Sequence, residues 1–203
     1  MLADQIKANR SCRRFDEYHT ISLQTLHELI DLGRLSASAA NLQPLKYIVS
    51  CDPAINEEIF KCLAWAGYLK NWPGPGPGER PSAYIVVLHD QQISPNVDCD
   101  HGIASQSILL GAREKGLAGC MLGAVNRPKL RQVLLIPEHL KAVDVVADGA
   151  YFPFIRAVGT AIEDGKMETW PPKRSICYCR HHNLFTHSMS CAINGYGYCH
   201  RVY

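Results

Sequence analysis

Four short apolar runs constrain the fold of this chain more than any other feature: Lys46 to Cys51 (KYIVSC), Tyr84 to Leu88 (YIVVL), Leu117 to Leu122 (LAGCML) and Val143 to Ala147 (VDVVA). Each has the length and apolar content of a buried strand, with Gly119 expected to break the third. Helix signals fill the gaps between them. Residues 2–9 read as a short helix. Ser22 is placed to cap a second, with Leu26, Leu29, Ile30 and Gly33 on one face. Asp52-Pro53 opens a third, whose Ile55, Ile59 and Leu63 are expected to face the core. Either Asp98 or Asp100 caps a long helix that runs to about Lys115 and stops at Gly116. Asn126 and Pro128 start another, with Leu130, Val133 and Leu134 inward. This alternation predicts a mixed α/β or α+β sheet with helices packed on it.

Two other stretches set local limits. Trp72 to Pro81 (WPGPGPGERP) forbids both helix and interior strand, so a loop is expected there. On the long helix, Gly102, Ala104, Ser105, Ser107, Gly111 and Ala112 leave little bulk on one side. Such a face admits another backbone closely, as at a helix–helix contact between two subunits.

With 203 residues the chain can build one substantial core, and two full domains are not expected. A net charge of +2 excludes a strongly basic nucleic-acid surface or a polybasic membrane anchor. No apolar run reaches the roughly 20 residues needed to span a bilayer. Met1 to Arg10 lacks the apolar centre of a signal peptide. The expectation is a soluble cytoplasmic protein whose 9 cysteines are reduced.

Three segments carry candidate chemistry. Arg10-Ser11-Cys12-Arg13-Arg14-Phe15 gathers guanidinium forks and a hydroxyl suited to phosphate. Spacing alone favours a solvated basic turn, since basic clusters are common. Ser38 to Pro44 places Asn41 and Gln43 in a small-residue loop, where their amides could meet a heteroaromatic ring or simply bond their own backbone. Gly119-Cys120-Met121-Leu122-Gly123-Ala124 puts glycines at a strand end, as either a bulge or a place where a flat ligand nears the backbone. No Gly-x-Gly-x-x-Gly unit supports a dinucleotide-binding Rossmann fold.

Taken in order, R-S-x-R-x-F, then N-x-Q-P, then a D-x-G-x-A-x-Q helix followed by G-L-x-G-C-x-x-G, the chain resembles the FMN-binding nitroreductase family. It is similar in particular to a small bacterial and archaeal subgroup. The likeness runs over about residues 3–149, and Pro172-Lys173-Arg174-Ser175 matches a further element of that subgroup. The resemblance implies an α+β fold with a mixed, mainly antiparallel sheet flanked by helices, in an intertwined homodimer holding FMN between its subunits. It places Arg10, Ser11 and Arg13 on the flavin's phosphate, ribityl chain and pyrimidine edge. Asn41 and Gln43 would touch FMN from the partner subunit. Cys120, Met121, Leu122 and Gly123 would lie against the isoalloxazine face, with a backbone N–H of Leu122 or Gly123 toward N5. Lys173 and Arg174 would sit on the phosphate. Leu45 stands where the family has an aromatic residue, so stacking there is absent. NADH or NADPH would supply the hydride, and a nitroaromatic, quinone or similar small molecule would take the electrons. No side-chain acid–base pair is expected, since the cofactor does the chemistry.

After Gly149 the likeness weakens. Residues 1–175 are read as one flavin-binding domain and 176–203 as an atypical tail. That tail is a divergent arm, a shifted reading frame, or a metal site drawn from Cys177, Cys179, His181, His182, His187, Cys191, Cys199 and His200. The ligand types suit zinc or an iron–sulfur cluster, but the spacing matches no usual finger, and no metal is assigned. Two other functions stay open: a non-catalytic flavin- or ligand-binding dimer with a degenerate arm, and a metal-binding protein acting through the tail.

Overall fold

A computed structural model describes residues 1–150 fully, and beyond them the backbone of Tyr151 and of four short strands. The chain divides into two compact units, Met1–Ile155 and Arg156–Tyr203. In the second, β6 (Thr160–Glu163) pairs antiparallel with β7 (Lys166–Thr169), and β8 (Ala192–Ile193) with β9 (Cys199–His200).

The first unit runs α1 (Leu2–Ala8), β1 (Phe15–Asp16), α2 (Leu23–Arg34), a 3-10 turn (Ala39–Asn41), β2 (Leu45–Ser50), α3 (Pro53–Phe60), β3 (Ala83–Asp90), α4 (Asp100–Glu114), β4 (Leu117–Leu122), α5 (Arg127–Val133) and β5 (Leu140–Tyr151). Every ladder in its sheet is antiparallel. β2 pairs with β3, and β3 with β5. β5 also takes β4 along Val145–Ala150 and β1 at its end, so Ala147 has both Tyr84 and Cys120 as neighbours.

Burial explains the layers. All 8 residues of β3 are buried, because both faces of the sheet are covered. Tyr84, Val86 and Leu88 point to one side, with Cys120, Leu122, Ile59 of α3 and Leu130 of α5. Ala83, Ile85 and Val87 point to the other, with Leu26 and Leu29 of α2 and Ile108, Leu109 and Ala112 of α4. This is the period of two expected of a strand, here apolar on both faces.

The local signals hold where capping is short-range. Ser22 accepts from the Thr25 N–H, Asp52 from Ala54 and Ile55, and Asn126 from Lys129. Three expectations need correction. Ile55 is exposed, and only Ile59 and Asn56 of α3 are buried. β4 runs unbroken through Gly119, which is needed there because a Cβ would meet Asp148 Oδ1, Leu109 Cδ2 at 2.6 Å and the Ala147 carbonyl at 2.8 Å. The small face of α4 is covered from within over part of its length: a Cβ on Gly111 would strike Leu32 of α2, and Ala104, Ser105 and Ala112 are buried in the same chain, whereas a Cβ on Gly102 would meet nothing within 4 Å.

Candidate functional site

Two of the three chemistry-bearing segments meet on β4. The Cys12 N–H donates to the Gly119 carbonyl at 3.0 Å, laying the Arg10–Arg13 arm beside the strand. Arg13 is near enough to oppose the burial that pushes the Cys120 thiol up to about 12. Burial also raises Cys12, so both thiols stay neutral and neither is an activated nucleophile.

The cations of this arm are not equivalent. Arg14 is tied to Glu79 at 3.2 Å. Arg10 donates only to the Ile6 and Asn9 carbonyls at the end of α1, and Arg13 donates to the Ser11 carbonyl and lies 5.8 Å from the Tyr68 ring centroid. Among the described residues neither has an acidic partner. Arg10 and Ser11 are exposed and Arg13 half-buried. Two free guanidinium groups and a hydroxyl are a donor set that fits a phosphate monoester.

Strand alternation sorts the next four positions. Cys120 is 1% exposed and Leu122 6%, both packed in the core, so only their backbone could meet a ligand. Met121 is 42% exposed, and Gly123 is exposed, with a side-chain oxygen 3.5 Å from where its Cβ would stand. The packing that makes β4 a strand turns the Cys120 and Leu122 side chains into the core.

Asn41 and Gln43 lie in a separate loop. Ala40, Asn41 and Gln43 have φ of 48°, 55° and 53°, a left-handed conformation costly for residues other than glycine. Asp100 holds it: its carboxylate accepts from Ser38 Oγ at 2.6 Å and from the Ala39 N–H at 3.0 Å, and Ser38 Oγ accepts from the Gln43 N–H at 2.9 Å. Gln43 donates to Asn41 Oδ1 at 2.8 Å. Asp100 therefore clamps the loop, and the cap position of α4 is Cys99, which makes no side-chain cap. Asp100→Ala should cost about 1–2 kcal/mol, less than the sum of its bonds because the loop can relax. Thermal unfolding of the variant checks this. No hydrogen bond among the described residues joins Asn41 or Gln43 to the Arg10 arm or to β4; both amides are exposed.

Sequence reasoning missed the polar groups beside Gly123. His101 Nε2 lies 3.4 Å from Asp144 Oδ2, and the position of a Gly123 Cβ is 3.5 Å from Asp144 Oδ1. Burial raises the Asp144 carboxyl, against His101 and Arg127. Arg127 in turn donates to the Ala142, Val143 and Gly123 carbonyls, fixing the end of β4. The available signal was the acidic residues at alternate positions of an otherwise apolar strand, Asp144 and Asp148.

Lys173 and Arg174 lie outside the described residues, as do the tail residues Cys177, Cys179, His181, His182, His187 and Cys191; for Cys199 and His200 only the backbone of β9 is described. No helix among the described residues is long and apolar enough to cross a membrane.

Known proteins share this fold. The sequence model of the Nitroreductase family matches residues 6–149. A candidate NADH dehydrogenase/NAD(P)H nitroreductase of Archaeoglobus fulgidus is 29% identical over 154 residues, which are 71% of this chain and 82% of that protein. Among solved structures, a candidate NADH dehydrogenase/NAD(P)H nitroreductase from Parabacteroides distasonis aligns with a TM-score of 0.62 at 22% identity, covering 80% of this chain and 92% of its own. An FMN-dependent nitroreductase from Clostridium difficile aligns with a TM-score of 0.60 at 20% identity, covering 79% of this chain and 91% of its own.

Proposed function

The chain belongs to the nitroreductase family and is an oxidoreductase, and from that premise we propose that it works with FMN, as a homodimer holding the flavin between its subunits. NADH or NADPH is the donor and a nitroaromatic, quinone or similar small molecule the acceptor. The observation that carries the reading is the Cys12–Gly119 hydrogen bond, which places acid-free Arg10 and Arg13 beside the strand whose end exposes Met121 and Gly123.

In this reading Arg10, Ser11 and Arg13 hold the phosphate and ribityl chain. Met121 and the backbone from Cys120 to Gly123 form the wall for the flat ring, and a Gly123 or Leu122 N–H serves its N5. Bound FMN would supply two-electron redox chemistry. The chain's own part is to orient the ring and to place positive charge and N–H donors where negative charge gathers. The exposed Asn41 and Gln43, clamped outward by Asp100, are suited to the partner's flavin.

Arg13→Ala should weaken FMN retention about tenfold or more, the value of one charge-assisted hydrogen bond. Fluorescence of flavin released from purified wild type and variant measures this; equal content would remove Arg13 from the site. Turnover is a separate test. Flavin-loaded protein should oxidise NADH or NADPH when a quinone is present, whereas bound flavin without turnover would make the chain a binding module.

A further inference from the structure

Granted the FMN reading above, we propose that Asp144, held beside Gly123 by His101, is the residue whose charge sets the reduction potential of a flavin lying against the end of β4.

Strand register brings the carboxylate there. β4 ends at Leu122, opposite Val145 of β5, so Gly123 comes next to Asp144. The position of a Gly123 Cβ is 3.5 Å from Asp144 Oδ1. Any side chain at 123 would begin in contact with this oxygen, and glycine leaves that contact open. Asp144 and Asp148 share one face of β5, four residues apart, but their settings differ. Both Asp148 oxygens are sealed and unpartnered, and the Asp144 oxygens are not among the sealed atoms. The Asp144 side chain keeps 16% of its surface and that of His101 28%. Asp144 is thus open to a group seated at Gly123.

Its neighbours favour the charged form. His101 Nε2, in the first turn of α4, lies 3.4 Å from Asp144 Oδ2. Burial pushes the Asp144 carboxyl up, while His101 and Arg127 hold it down. Arg127 gives its N–H groups to the Gly123, Ala142 and Val143 carbonyls and makes no hydrogen bond to Asp144. A ring whose N5 meets the Leu122 or Gly123 N–H lies within two residues of this carboxylate. Negative charge gathers on a flavin ring as it is reduced, and a fixed carboxylate close by opposes it. Removing the Asp144 charge should therefore ease reduction.

Redox titration of the full FMN-loaded chain at pH 8, against dyes of known potential, tests this. Asp144→Asn should shift the equilibrium toward reduced flavin about tenfold or more, which is a rise of about 30 mV for a two-electron couple. Asp144→Glu keeps the charge and should stay within about threefold of the wild type. A merely structural Asp144 would change thermal unfolding or flavin content and leave the potential in place. Asp144→Ser removes the charge through a smaller side chain if Asp144→Asn does not fold. An unchanged or lowered potential in the flavin-bound, charge-free variant overturns the proposal and leaves the FMN reading standing. A wild-type chain that takes up no FMN overturns both.

Discussion

Asp148→Asn is expected to stabilise the protein by about 4 kcal/mol at pH 8 and by almost nothing at pH 3. Asp148 is 0% exposed, and neither of its carboxylate oxygens has a hydrogen-bond partner among the described residues. It lies on the α2/α4 side of the sheet, against Gly119, near Leu109. Burial in that apolar layer pushes its pKa from 3.8 up to about 7. An acid raised on folding gives up its proton at lower pH in the unfolded chain than in the folded one. Stability must therefore fall as pH rises from 3.8 to about 7, then level off. A displacement of about 3 pKa units at about 1.36 kcal/mol each gives the expected 4 kcal/mol. Asparagine keeps the shape and never ionises. Urea unfolding of both proteins across this range isolates the difference from every other titrating group. A gap that does not widen with pH would show that Asp148 is charged and compensated in the fold.

The second large effect is expected at Gly119. Gly119→Ala should cost about 3 kcal/mol, the upper part of the range for overpacking, because one of the atoms in the way is the Ala147 backbone carbonyl and cannot rotate aside. Another is Asp148 Oδ1, so Gly119→Ala should cost about 1 kcal/mol less in an Asp148→Ala background than in the wild type. The flavin site should feel the change too, since the Gly119 carbonyl anchors the Arg10 arm through Cys12. Strict additivity in the double-mutant cycle would mean that β4 shifts away from Asp148 rather than against it.

Much of this fold is legible in the sequence because its signals are local. Ser22, Asp52 and Asn126 cap helices through bonds to residues two or three positions on, which any reading of the chain can anticipate. The four apolar runs became β2 to β5 for a similar reason. What was not legible depends on partners far along the chain. β1 is two residues long and exists only through Tyr151 and Ala150. β5 reaches from Leu140 to Tyr151 because β3, β4 and β1 pair with successive parts of it, although Lys141, Asp148 and Gly149 interrupt its apolar run. Asp100 has the sequence signature of a helix cap but is drawn off to the Ser38 loop.

The site divides in the same way. Residue type marked the Arg10 arm, the Asn41 loop and the Gly119–Gly123 strand as places for chemistry. Which side chains of β4 face outward could be decided only once the pairing of β4 with β5 fixed its alternation, leaving Met121 out and Cys120 in. The His101–Asp144 pair beside Gly123 required α4 and β5 to be brought together, and no local pattern encodes that contact.

The central claim is that this chain holds FMN, and the visible absorbance spectrum of the purified protein tests it most directly. The purified protein should be yellow, with flavin bands near those of free FMN and release of FMN on denaturation. A colourless protein that takes up no added FMN would contradict it.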